Sequence, residues 1–411
     1  MINSGDTAFV LIAAAMVLLM TPGLAFFYGG MVRRKNVLST LMQCFIIICI
    51  VGLQWELFGY SIAFGPDAWG GFFGTLNWAG LQSVGTAPNP DYSNTIPQLA
   101  FMIFQAMFAI ITPALIIGSF AERIKFSGMI IFTLIWTTFV YDPIAHWVWG
   151  MGGWLRAMGG LDFAGGIVVH ISSGFSALVM AILIGKRNGY ERVAFSPHNL
   201  SLTVLGSGLL WFGWFGFNAG SALAANGLAA NAFVTTNTAA VSAGLTWIII
   251  DWLFNNSPTV LGAMTGAVAG LATVTPACGF VSPMSSLIIG VMAGIICYLF
   301  VMKIKPKAGY DDSLDAFGVH GIGGLTGVLA TGLFAQVSIN EAGANGLFFG
   351  NARLFLIQGF CAVICIFYSI LMTFVIYKIV DRFVGMRVSR NDEIIGLDLT
   401  QHKEQSYTII D

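Results

Sequence analysis

Charge is what this sequence lacks. Only 9% of its 411 residues are Asp, Glu, Lys or Arg, against about 25% in an ordinary soluble domain. So few charges cannot cover the surface of a soluble fold of this size. The 57% hydrophobic content and the mean hydropathy of +0.82 agree. Soluble enzymes, nucleic-acid binders and disordered chains are excluded. A net charge of −1 points to no polyanionic partner.

Cysteine is scarce as well. Cys44, Cys49, Cys278, Cys297, Cys361 and Cys365 form no CxxC pair, and most fall inside apolar runs. They read as small core residues and not as disulfides or metal ligands. There is no HExxH, no GxSxG, no P-loop and no GxGxxG after a strand. Hydrolysis within the membrane therefore has little support, and no cofactor is implied. No cation precedes Arg33, so Thr7 to Val32 reads as a retained first span and not as a cleaved signal peptide.

What charge exists is placed systematically. Arg33, Arg34 and Lys35 form one cluster, Arg123 and Lys125 a second, and Lys186, Arg187 and Arg192 a third. Lys303, Lys305 and Lys307 form a fourth, and the tail from Lys378 to Lys403 a fifth, leaving only Arg156 and Arg353 outside them. Cations collect in cytoplasmic loops. If every cluster faces one compartment, each gap holds an even number of spans. The 110 residues between Arg192 and Lys303 fit four spans at about 20 residues each, and each of the other three gaps fits two. With one span before Arg33, the reading is an all-α polytopic membrane protein of eleven transmembrane helices. The odd count puts the N-terminus outside and the C-terminus inside. The membrane domain runs over 1–385: a first half at about 7–190, a second at about 196–336 and helix eleven at about 349–381. A polar tail covers 386–411.

Fifty glycines argue for closely packed helices. They also mark an internal repeat. Helix five reads Asp162-Phe-Ala-Gly-Gly-Ile-Val-Val-His170, and helix ten reads Asp315-Ala-Phe-Gly-Val-His320. Thr21-Pro-Gly-Leu-Ala-Phe-Phe-Tyr-Gly-Gly in helix one pairs with Gly213-Trp-Phe-Gly-Phe-Asn-Ala-Gly in helix six. Helices one to five thus match six to ten. An odd number of helices per half makes the repeat inverted, which puts the substrate site near the midplane between the halves.

Ionisable residues at membrane depth are candidates for function: Glu56, Asp142, His146, Asp162, His170 and His320. His146 and Asp142 read as structural, and Glu56 has no assigned role. His170 and His320 occupy equivalent places in the two halves. Each neutral imidazole offers one donor and one acceptor. An adjacent pair, hydrogen-bonded to each other, can bind a small polar molecule or relay a proton. The plainer reading is two core histidines capped by hydroxyls. A metal site lacks a third ligand.

These segments, together with Gly118-Ser-Phe-Ala-Glu-Arg-Ile-Lys-Phe, Thr275-Pro-Ala-Cys-Gly and Gly396-Leu-Asp-Leu-Thr-Gln-His, make the chain similar to the ammonium transporter family (the Amt, Mep and Rhesus group) over nearly all its length. The bacterial Amt branch fits best, through Trp149, Ser221 and the tail. The resemblance implies transport across the cell's inner membrane, with no enzyme activity. It implies recruitment of the ammonium ion at Phe108, Trp149 and Ser221, and a phenyl gate of Phe108 and Phe217. It further implies a pore past His170, His320 and Trp214, with Asp162 supporting the recruitment site. Methylammonium would serve as an analogue. A homotrimer and a P-II-type signal protein docked on the tail are also implied. A bland alternative treats Trp149 as an interfacial aromatic, Phe108 as core, Asp162 as a helix anchor and the tail as solvated. The rival function is an ammonium sensor, which would signal through a partner because only about 30 residues follow the last helix. An ion channel needs a ring of carbonyls or acids that the sequence does not offer.

Overall fold

The computed structural model describes residues 1–190 and 192–407. The last four residues of the predicted 386–411 tail lie outside the described residues. Eleven helices cross the molecule: α1 Ser4–Met31, α2 Arg34–Phe64, α3 Gln98–Phe120, α4 Phe126–Ala157, α5 Gly166–Ile184, α6 Leu200–Gly220, α7 Gly227–Asn255, α8 Val260–Val274, α9 Pro283–Ala308, α10 Phe317–Phe334 and α11 Ala352–Phe383. Ten are long and apolar enough to span a bilayer alone. The eleventh, α8, has 15 residues and runs into a buried turn around Pro276. Eleven spans and four helices between Arg192 and Lys303 match the count taken from the cations.

The two ends of the bundle separate by charge. At one end the backbone N–H of Asn3 donates to the carbonyl oxygen of Thr95 in the 66–97 loop, and Ala225 N–H donates to the Asp6 carboxylate. At the other end the cationic loops meet. Arg33 and Arg187 both pair with Glu122, and Arg187 pairs again with Asp311. Clustered cations mark that end as cytoplasmic, so the N-terminus is outside and the C-terminus inside.

Glycine sets the helix crossings that relate the halves. A Cβ on Gly206 of α6 would lie 2.2 Å from the backbone N of Phe27 in α1. One on Gly174 of α5 would lie 2.1 Å from the backbone N of Gly321 in α10. Backbones at this distance exclude every side chain, as in other close membrane helix pairs. Thus α1 lies on α6 and α5 on α10, the pairing an inverted repeat requires.

The starts of α5 and α10 are built alike. Both Asp162 carboxylate oxygens accept backbone N–H groups: Oδ1 from Gly165 and Gly166, Oδ2 from Ile167 and Val168, at 2.7–3.1 Å. In α10 the corresponding acid is Asp312, which accepts from Ala316 at 3.1 Å and Phe317 at 2.8 Å. The two segments compared in the sequence begin at Asp162 and Asp315. The structure corrects this, because Asp312 stands eight residues before His320 as Asp162 stands eight before His170. Asp315 instead pairs with Lys305.

The tail is not loose. A short helix α12, Arg390–Ile395, starts with a capping box between Ser389 and Asp392. Beyond it, Asn36 accepts from Leu397 N–H and Asp398 accepts from Ser39 N–H, both at 2.8 Å. Leu397, Glu393 and Asp398 are buried. The solvated tail that composition alone allowed is therefore replaced by one seated on the cytoplasmic loops.

Candidate functional site

Near the outer end, α3, α4 and α6 surround a cavity of about 160 Å³ that Phe108, Trp149 and Ser221 help to line. The Trp149 indole N–H donates to the carbonyl oxygen of Asp162 at 2.8 Å, which fixes the ring. Trp149 meets Phe108 edge to face, with centroids 5.9 Å apart at 88°. The Ser221 hydroxyl donates to the Phe217 carbonyl at 2.9 Å, leaving its lone pairs for another donor. Three aromatic or hydroxyl groups therefore converge on one hollow. Asp162 sits behind them, its carboxylate occupied by four backbone N–H groups.

The floor of the cavity is closed. Phe108 and Phe217 stack with centroids 4.1 Å apart and planes at 28°. Phe108 faces the outer cavity, whereas Phe217 lines a second space beneath. This inner lumen measures about 40 Å³, room for a few water-sized molecules and not for an ion with its hydration shell. Its wall is largely Leu, Met, Phe, Ile and Val, with His170, His320 and Trp214 among the polar exceptions.

The two imidazoles lie side by side. Their centroids are 5.2 Å apart and their planes differ by 15°. Each sits in a single π-helical turn at the start of its span, Gly166–Ile171 and Phe317–Gly321; such turns recur at functional positions. Trp214 runs nearly parallel to His170 at 5.6 Å, held by its indole N–H donating to Thr275 Oγ1 at 2.9 Å. The expected hydrogen bond between the histidines is not formed. Nδ1 and Nε2 of His170 and Nδ1 of His320 are buried without a hydrogen-bond partner. Hydroxyl caps are absent too, which removes the plainer reading of two satisfied core histidines. Unpaired polar atoms at this depth are costly, and here three of them belong to the two imidazoles that line one small lumen.

Seven of the eight site residues named from the sequence thus line up in order: Phe108, Trp149 and Ser221 above, Phe217 between, and Trp214, His170 and His320 below, with Asp162 behind the outer cavity. The structure adds Gln105 and Arg156 to the outer cavity. Gln105 presents a buried Oε1 with no partner. It stands beside Phe104 on α3, where a glutamine on an apolar helix carries no chemical signal of its own. The other membrane-depth groups lie off the path. His146 bonds to the Ala63 carbonyl and to Asp67, both at 3.1 Å, and Asp142 accepts from Gln54 at 2.7 Å. Glu56 is exposed on the outer face of α2, and nothing in the structure explains it.

This architecture has known counterparts. The profile of the Ammonium Transporter Family matches residues 8–407. The "Ammonium transporter" of Bacillus subtilis is 53% identical over 403 residues, covering 98% of each chain. "Ammonium transporter Amt1" of Archaeoglobus fulgidus is 48% identical over 406 residues, covering 99% of this chain and 100% of that one. Among solved structures, Candida albicans Mep2 superposes with a TM-score of 0.90 at 35% identity, over 98% of this chain and 90% of that one. A structure titled "Sensor Amt Protein" gives a TM-score of 0.88 at 28% identity, over 97% and 98% of the two chains. With the match running along almost every residue, and relatives this similar from end to end, the chain belongs to the Ammonium Transporter Family.

Proposed function

We propose that this protein carries ammonium across the cell's inner membrane by stripping the ion to ammonia. The observation that supports it best is the pair of buried imidazoles with unpartnered nitrogens in a lumen too small for a hydrated ion. Recruitment takes place in the outer cavity. The faces of Phe108 and Trp149 attract a cation by about 0.5–2 kcal/mol, and Ser221 accepts an N–H hydrogen bond. A bare cation in the dry lumen would cost several kcal/mol or more. Potassium is close to ammonium in size, so width alone cannot separate them. Ammonium has an exit that potassium lacks. At the phenyl gate one N–H bond breaks, nitrogen keeps the electron pair, and an imidazole nitrogen takes the proton and passes it on, so that the pair is neutral again before the next ion arrives. Neutral ammonia then passes Trp214, His170 and His320.

The test is flux into liposomes holding purified protein. Ammonium and methylammonium should enter while potassium does not. Equal potassium flux would refute the mechanism. His170→Ala should lose transport or selectivity; wild-type behaviour in that variant removes the pair from the pathway. The same reading carries a homotrimer with one pore per subunit and a P-II-type partner on the cytoplasmic tail. Native mass spectrometry and pull-down from nitrogen-shifted cells check these in turn. The likeness to a sensor favours one second reading, a receptor signalling through a partner. Growth rescue of a transport-deficient strain on low ammonium decides between them.

A further inference from the structure

The net charge of −1 conceals a strongly uneven distribution. On the cytoplasmic face lies a cavity of about 580 Å³, within the usual range for small-ligand sites. Lys186, Arg187, Arg192, Arg387 and Arg390 line it, with Glu393 the one acid among the lining residues. By sequence, Glu191 also belongs to this loop. The pore does not use this cavity, and neither the family match nor the named relatives assign it a ligand.

The cations divide into two groups. Arg187 is the fixed floor. It is 9% exposed, and its guanidinium bonds to Asp311 at 2.8 and 2.9 Å and to Glu122 at 3.1 Å. Arg387 is also committed, donating to the carbonyls of Ile184 and Lys186 and to Glu393 at 2.7–2.9 Å. Arg192 and Arg390 are different. Both are exposed, and neither guanidinium has a hydrogen-bond or ion-pair partner among the described residues. One comes from the loop after α5, the other from the first residue of α12 in the tail. Two uncommitted guanidiniums on one cavity, above a floor fixed by the Arg187 ion pairs, match the charge and the bidentate geometry of phosphate. The ring of Tyr190, with Lys186 Nζ 5.2 Å from its centroid, adds an aromatic surface. Val388 is the one aliphatic lining residue, so a lipid acyl chain has no apolar path into the cavity.

We propose that this cavity binds a soluble phosphorylated anion of nucleotide size, which joins Arg192 of the loop to Arg390 of the tail. Bound there, the anion adds a second clasp beside Glu393, which already holds the tail to the loop through the backbone N–H of Asn188. Tail position then reports the level of a phosphorylated metabolite. The site stands apart from the pore, so binding can be read without transport.

The test uses the full chain in phosphatidylcholine nanodiscs, with ATP as probe in calorimetry. Saturable ATP binding is expected, weaker binding of inorganic phosphate, and none of adenosine. Arg192→Glu and Arg390→Glu are both exposed and should fold; each should weaken ATP by about tenfold or more, the loss expected of a charge-assisted contact. ATP should also slow tryptic cleavage of the tail, and Arg192→Glu should abolish that protection. No saturable binding, or binding unchanged in both variants, overturns the proposal. So does sulfate binding as tightly as ATP at about 0.15 M salt, which is charge attraction alone. Occupancy by phosphatidylglycerol in mixed nanodiscs, without binding of free anions, overturns it in favour of a lipid headgroup.

Discussion

Asp162 shows what one side chain can do in this fold. A single carboxylate satisfies four backbone N–H groups at the start of α5, and the same residue's carbonyl oxygen holds the Trp149 indole. Removing the carboxylate strands those donors in a buried site, and each unsatisfied group costs about 1–3 kcal/mol. Asp162→Ala should therefore lower the melting temperature and loosen the outer cavity, raising the ammonium concentration needed for half-maximal flux. Unchanged stability and unchanged flux would show that the cap is dispensable. Asp162 is legible in the sequence as a helix anchor because its spacing to His170 is short and local. In the second half Asp315 lies nearer to the Phe-Gly-Val-His run in sequence, whereas Asp312 holds the spacing of eight to His320. Only the hydrogen bonds of Asp312 reveal the true counterpart.

Between elements, the decisive feature is the crossing of α5 and α10. Gly174 brings the two backbones together, and a Cβ on Gly324 would lie 2.8 Å from the Cβ of His170. The imidazoles meet because these glycines let their helices meet. Gly174→Val should force the helices apart, and overpacking of this kind costs about 1–3 kcal/mol or more. Thermal stability and transport should fall together. Gly208 of α6 has nothing within 4 Å of its would-be Cβ, so Gly208→Ala should change neither. Equal damage from both variants would show that the close approach is not what matters. Glycine frequency was legible in the sequence; which glycines lie at crossings was not, because that depends on helices far apart in the chain.

Over the whole molecule, the buried arginine–carboxylate pairs gather at the cytoplasmic end, where loops and tail meet. Burial works against ionisation of Glu122, but Arg187 and Arg33 outweigh it and hold the carboxyl below its usual range. Asp311 behaves likewise: burial raises it, while Arg187 and Arg123 bring it below the ordinary value. Depressed carboxyl values make a stability contribution that is complete above the unfolded value. It shrinks as pH drops below the ordinary carboxylate range, about 4, and is gone below the native values. Melting temperature should thus hold through neutral pH and fall in acid. Glu122→Gln, which leaves Arg33 and Arg187 without their shared anion, should lower the plateau and flatten that acid slope. A slope identical to wild type would place the acid sensitivity elsewhere.

Composition by itself determined that this chain lives in a membrane, since too few charges exist to face water. The spacing of its cations determined how many times the chain crosses and which way it points. Both follow from transfer free energies, which are properties of residues and need no partner. The tertiary structure alone decided that Phe108 and Phe217 stack, that the two imidazoles lie parallel without bonding to each other, and that a polar tail is locked onto the loops. Each of these is a distance between residues remote in sequence, set by how helices pack and which polar atoms that packing leaves unpaired.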